Sequence, residues 1–136
     1  MNLLVYGTLK RGYGNHHLMK GAKFVDCATL HGHCIYSLSG FPGAEKHDGA
    51  IVRGELFEID PDTHLEGLDR LEGFDPEHPS DSMYVRTDVN VFRDGGTYDD
   101  SSEGTPTQVY LFNSDKYYRH GGELKIIEDG IWPEKR

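Results

Sequence analysis

Residues 49–73 read GAIVRGELFEIDPDTHLEGLDRLEG, and a change of period inside this stretch decides the fold class. From Gly49 to Ile59 the pattern has period two, with Arg53, Glu55, Phe57 and Ile59 on one side, which predicts a strand. At Asp60-Pro61 the period changes. Asp60 can accept from free N–H groups as an N-cap, and Pro61 sits where its missing donor costs nothing. A helix is predicted to about Glu72, where Gly73 is a natural stop.

Further strands flank this unit. Asn2-Leu-Leu-Val-Tyr6 is a short apolar run ended by Gly7 and reads as a buried strand. Gly7 to Gly14 holds three glycines and two basic residues, a loop free to approach a ligand closely. Lys23 to Leu38 reads as extended with a bend at Gly32, and Ser39-Gly-Phe-Pro-Gly43 as a turn. Asp75 to Ser82 is a Pro-containing loop. Met83 to Phe92 alternates, with Val85, Thr87, Val89 and Val91 facing one way and Tyr84, Arg86 and Asp88 the other. Asp94 to Pro106 reads as a solvated hairpin loop and Gln108 to Asn113 as the last strong strand. In the tail, Ile126, Ile127, Ile131 and Trp132 are the residues able to dock. The sum is an α+β domain, residues 1–136, with a curved, mostly antiparallel sheet and one principal helix.

Composition bounds the function. The chain of 136 residues carries 14 Lys+Arg against 23 Asp+Glu, a net charge of −9, and that surplus argues against nucleic acid as a partner. A hydrophobic content of 36% and a mean hydropathy of −0.62 fit a soluble domain, and no apolar run approaches a membrane span. Two cysteines, Cys27 and Cys34, are too few for a disulfide scaffold. With no basic leader or cleavage site at the start, the expected location is the cytoplasm. The 17 glycines predict a turn-rich fold.

Three features carry chemistry. Glu72 shares a helix face with Leu65 and Leu68, so it is either a border residue or a carboxylate held in a pocket. In a pocket, desolvation and the negative end of the helix dipole would both raise its pKa, as a general acid/base requires. Tyr6-Gly7-Thr8-Leu9 is either an ordinary strand exit or a turn whose N–H groups converge on an oxyanion. Among eight histidines, Cys27, His31 and His33 would share a strand face, but no second cluster completes a tetrahedral site. Surface histidines are the simpler account. There is no Walker A ending after Gly7 and no Gly-x-Ser-x-Gly elbow.

Four motifs stand in order: Val5-Tyr-Gly-Thr-Leu-Lys10 with Asn15, Val52-Arg-Gly-Glu-Leu-Phe57, Leu68-Asp-Arg-Leu-Glu-Gly73 and Tyr84-Val-Arg86. From Leu3 to Phe112 the chain resembles the gamma-glutamylcyclotransferase-like family, in particular its short gamma-glutamylaminecyclotransferase and AIG2-like branch. The resemblance implies a small mixed β-barrel with flanking helices, no metal or organic cofactor, and release of 5-oxoproline from a small-molecule γ-glutamyl substrate. It implies that Glu72 is the catalytic acid/base, that Tyr6, Gly7, Thr8 and Leu9 cradle the γ-glutamyl group, and that Tyr84 and Arg86 contribute to the pocket wall. The long acidic loop from Asp94 is expected to bear on access.

Two other classes remain open to the sequence: a non-catalytic binding module on the same fold, and a metal-binding protein using Cys27, His31 and His33. The charge is also unevenly placed. Glu55 to Asp81 holds ten acids and one base, whereas Met1 to Phe24 holds four bases and no acid. This predicts like-charge repulsion raising Glu72, and a basic loop meeting the α-carboxylate of a zwitterionic substrate.

Overall fold

The computed structural model describes residues 1–38, 41–96, 103–117 and 125–133. Five strands run in the order β1 (Asn2–Val5), β2 (Lys23–Ser37), β3 (Pro42–Glu58), β4 (Tyr84–Arg93) and β5 (Thr105–Phe112). Helix α1 (Pro61–Glu72) lies between β3 and β4, and a short helix α2 (Ser114–Tyr117) follows β5. The strands close into a barrel ordered β1-β3-β2-β4-β5. All pairs are antiparallel except β1 with β5, whose parallel register sets Leu3 against Gln108 and Leu4 against Val109. The expected mixed, mostly antiparallel barrel is the observed one.

Alternation sorts the side chains into two cores. Leu4, Ala28, Leu30, Val52, Leu56, Val91 and Val109 pack together as the barrel interior. Their neighbours in sequence, Leu3, Val5, Phe57 and Tyr110, point outward and pack with Tyr84 and with Leu68 of α1 in a second layer. Strands that are half polar by sequence thus bury both faces where α1 covers them. Each fully buried Leu in these layers contributes about 2 kcal/mol by removal from water.

The helix forms as its sequence predicts. Asp60 accepts from the N–H of Asp62 at 3.1 Å and from the Thr63 hydroxyl at 2.9 Å. At the other end Gly73 takes φ 65°, ψ 37°, and the N–H groups of Gly73 and Phe74 donate to the carbonyls of Arg70 and Asp69. This left-handed cap is open to glycine at little steric cost.

One expectation needs correction. Strand β3 starts at Pro42 rather than Gly49, so Pro42 and Gly43 belong to a strand, while Ser39 and Gly40 of the expected turn lie outside the described residues. The polar run Glu45–Asp48 conceals this extension. It pairs with β2 on an edge whose side chains are largely solvated, and a bulge opposite Gly32 restores register by Ile51. Residues 97–102 of the acidic loop also lie outside the described residues. The loop's base is fixed by a two-bond Arg53–Asp94 pair at 2.7 and 2.8 Å, at the opposite end of β4 from Tyr84. As expected, residues of the tail dock, forming a strap: Ile127 is buried in the barrel interior, Ile126 bridges to Tyr36, and Trp132 packs on the same core.

Gly54 marks where β1 and β3 approach most closely, because a Cβ there would lie 2.6 Å from the Val5 carbonyl oxygen and 3.0 Å from Leu4 Cδ1. Gly54→Ala is expected to destabilise the protein by about 1–3 kcal/mol. Urea denaturation of the two proteins measures the difference.

Candidate active site

Strand β1 ends at Val5, and the chain leaves the barrel through Tyr6-Gly7-Thr8-Leu9. The Lys10 N–H closes a turn onto the Gly7 carbonyl at 3.1 Å. Asn15 then holds the turn from outside: its N–H donates to the Thr8 carbonyl at 3.0 Å and its Nδ2 to Thr8 Oγ1 at 2.9 Å. The main-chain N–H groups of Gly7, Thr8 and Leu9 have no hydrogen-bond partner among the described residues. Gly7 is required by space, since a Cβ would lie 2.6 Å from Pro42 Cγ.

Across from this turn stands the last residue of α1, Glu72. A cavity of about 300 Å³ separates the two. Its walls come from β1 and the turn (Leu4 to Leu9, with Asn15), from the start of β3 (Phe41, Pro42), from the end of α1 (Leu71, Glu72) and from the outer layer (Met83, Tyr84, Tyr110). The helix end is tied to β4 because the Met83 N–H donates to the Gly73 carbonyl at 3.1 Å. That bond sets where Glu72 meets the barrel.

Glu72 is half-buried, and burial pushes its carboxyl up to about 7. Desolvation is the whole cause. The expected repulsion from neighbouring carboxylates does not operate, because the acids of this segment are solvated or paired. Asp69 is the nearest along the helix, and it is neutralised by Arg86 (Nε to Oδ1, 3.1 Å).

Three tyrosines surround the acid, and all are committed as donors. Tyr6 donates to the Tyr110 carbonyl at 2.6 Å and accepts from the Ala44 N–H at 3.2 Å. Tyr84 donates to the Pro42 carbonyl at 2.5 Å, and Tyr110 to Asp69 Oδ1 at 2.5 Å. Burial, first, and the charge of Glu72 among the further causes raise all three hydroxyls well above the ordinary tyrosine range. They remain protonated and present their rings to the cavity.

The structure therefore brings together Glu72, Tyr6, Gly7, Thr8, Leu9 and Tyr84 around one cavity, and leaves out Arg86. The Arg86 guanidinium lies outside the lining, held by Asp69 and by Gln108 Oε1 at 2.6 Å, beneath α1. An arginine facing the helix finds its carboxylate there, so its role is to fasten α1 to the barrel. The basic loop also turns elsewhere. Lys10 donates to the Trp132 carbonyl, and Arg11 pairs with Glu55 at 3.3 Å, so neither cation faces the cavity.

Sequence reading overlooked Phe41, Pro42, Leu71, Met83 and Tyr110. Tyr110 had a usable signal, since its place on β5 alternates with inward Val109. His64 was also overlooked. It lies four residues before Leu68 on the stripe that ends at Glu72, is buried, and donates from Nε2 to the Lys20 carbonyl at 2.8 Å. Cys27, His31 and His33 do not converge. Among the described residues, the one group whose ligand atoms lie within 4.8 Å of one another is Asp75, Glu77 and His78, all exposed. No helix among the described residues is long and apolar enough to cross a membrane.

A five-stranded barrel carrying an acid at a helix end above a glycine turn defines a class, and comparison with known proteins places the chain in it. The chain belongs to the family described as gamma-glutamyl cyclotransferase, AIG2-like, whose sequence model matches residues 3–134. It is 38% identical to the gamma-glutamylcyclotransferase family protein YtfP of Escherichia coli K12, over 99% of this chain and 98% of that one. It is 31% identical to the gamma-L-glutamyl-butirosin B gamma-glutamyl cyclotransferase of Niallia circulans, over 85% of this chain and 69% of that protein. The crystal structure of an AIG2-like protein from Mus musculus superposes with a TM-score of 0.72 at 26% identity, covering 93% of this chain and 85% of that one.

The raised carboxyl of Glu72 has a thermodynamic signature. The unfolded chain releases this proton near the ordinary glutamate value of 4.5 and the folded chain near 7, so folding is favoured by the group below 4.5 and progressively less so as pH rises to 7. Glu72→Gln is expected to gain up to about 3 kcal/mol over wild type by pH 8, with the difference opening between these values. Urea unfolding of both proteins from pH 4 to 8 measures it.

Proposed function

We propose that this protein is a gamma-glutamyl cyclotransferase that releases 5-oxoproline from a γ-glutamyl amine or amino-acid conjugate. The carrying observation is a desolvated carboxyl pushed up to about 7, Glu72, lining one cavity with the Gly7–Leu9 turn, whose main-chain N–H groups have no partner among the described residues. Family membership supports the same reading.

In this mechanism the γ-glutamyl group folds so that its α-nitrogen lies against its own γ-carbonyl carbon. The Glu72 carboxylate takes a proton from the α-nitrogen as that nitrogen attacks. The new C–N bond closes a five-membered ring and places a negative charge on the former carbonyl oxygen, which the N–H groups of Gly7, Thr8 and Leu9 receive. Collapse of this intermediate breaks the bond to the departing amine, and Glu72 returns its proton to that nitrogen. The products are 5-oxoproline and a free amine, and the carboxylate is regenerated. Because the reaction is intramolecular, holding the chain in its near-attack shape supplies much of the acceleration. The tyrosine rings and Leu9 provide the wall that enforces that shape.

Two outcomes follow for activity. Glu72→Gln keeps the size of the side chain but cannot carry the proton, and is expected to lower kcat for 5-oxoproline release by about 10²–10⁴-fold. Unchanged turnover would remove Glu72 from the mechanism. In the wild type, kcat/KM should rise with pH through the ionisation of Glu72 near 7, since the carboxylate is the reactive form. A pH–rate profile measured with one γ-glutamyl amide reads this limb.

A further inference from the structure

Resting on the cyclotransferase reading, we infer that the leaving group is an uncharged, apolar amine, seated against Phe41, Leu71 and Met83 at the cavity mouth. The lining divides by exposure. Leu4, Val5, Leu9, Tyr84 and Tyr110 are buried and form the interior, where a ring-closing glutamyl chain must be enclosed. Phe41, Leu71 and Met83 are partly exposed, as are Gly7, Thr8, Asn15 and Glu72, so the cavity opens among these residues and the three apolar side chains are the ones there that a departing amine can cover.

Leu71 makes the first half of the argument. It is 39% exposed, one of four large hydrophobic side chains so exposed among the described residues. Its exposure adds little to the fold, whereas an apolar ligand group would cover it. The second half concerns charge. Among the described lining residues Glu72 is the one with an ionisable carboxyl or a cationic group, and the reaction itself occupies it.

No other lining side chain carries a charge, and in the proposed mechanism the N–H groups of the turn serve the oxyanion. The tyrosine hydroxyls are spent on Tyr110, Pro42 and Asp69, and Asn15 Nδ2 on Thr8 Oγ1. Lys10 and Arg11 are turned to Trp132 and Glu55. A second ammonium, or a carboxylate, on the amine would find no side chain of opposite charge in the wall that the reaction does not already use, and burying it there is costly. A methylene chain in the same place gains from every carbon covered.

The test compares the γ-glutamyl conjugates of n-butylamine, putrescine and γ-aminobutyrate, which share a chain length and differ in being neutral, cationic or anionic at the far end. Release of 5-oxoproline is followed for each with the purified full chain. The butylamide is expected to show kcat/KM at least about tenfold above either charged conjugate. Equal or higher kcat/KM for a charged conjugate would overturn the inference while leaving the cyclotransferase reading intact. Absence of 5-oxoproline from all three would overturn both. Leu71→Glu, at an exposed position that the fold tolerates, supplies a second reading. The butylamide-to-putrescine ratio cancels effects on the shared chemical step and should fall by about tenfold or more in this variant. An unchanged ratio would also overturn the inference.

Discussion

Strand β1 is four residues long, yet it is buried on both faces and paired on both edges. Leu4 faces the barrel interior, Leu3 and Val5 face the layer under α1, β3 binds one edge and β5 the other. Everything at the site hangs from this strand. Its end fixes Gly7, the carbonyl of Val5 lies against the space left by Gly54, and Tyr6 reaches across to the backbone of Tyr110. A turn whose three N–H groups have no partner among the described residues costs free energy, and it holds its shape because the strand feeding it is fixed on both faces and both edges.

Glu72 is positioned by a different economy. The last turn of α1 is fastened on one side by Arg86 and Tyr110, both bonded to Asp69, and on the other by the Gly73–Met83 backbone bond. These contacts press a carboxyl against an apolar wall without giving it a counter-ion. Arg70, the cation nearest in sequence, pairs with Glu66, and Arg86 is used one turn earlier, on Asp69. Desolvation thus acts unopposed, and the carboxyl titrates near neutrality.

Much of the fold was legible because local and global signals agreed. The Asp60 cap, Pro61 and Gly73 bounded α1 to the residue, and the alternation of Tyr84–Phe92 gave β4 within one. The acid at the end of the Leu65–Leu68 stripe could be singled out, and the four ordered motifs decided between its two readings. What failed had a common cause: charge was read from the chain order, and the barrel redistributes it. Arg86 alternates with Tyr84 on one face, yet that face is covered by α1, so the shorter side chain meets the cavity and the longer one meets Asp69. Lys10 and Arg11 sit beside the glycine turn in sequence but are drawn to the C-terminal strap and to β3. The polar segment Glu45–Asp48 hid seven residues of strand because an exposed edge needs no apolar pattern.

The parallel pair of β1 with β5 joins Leu3 to Gln108, a separation of 105 residues along the chain. Closing that loop costs entropy before any contact repays it, which makes this pair a demanding one for the chain to form. The cavity draws its turn from the first ten residues, its acid from the middle and Tyr110 from the last strand. Its lining is therefore complete only once β5 has joined β1.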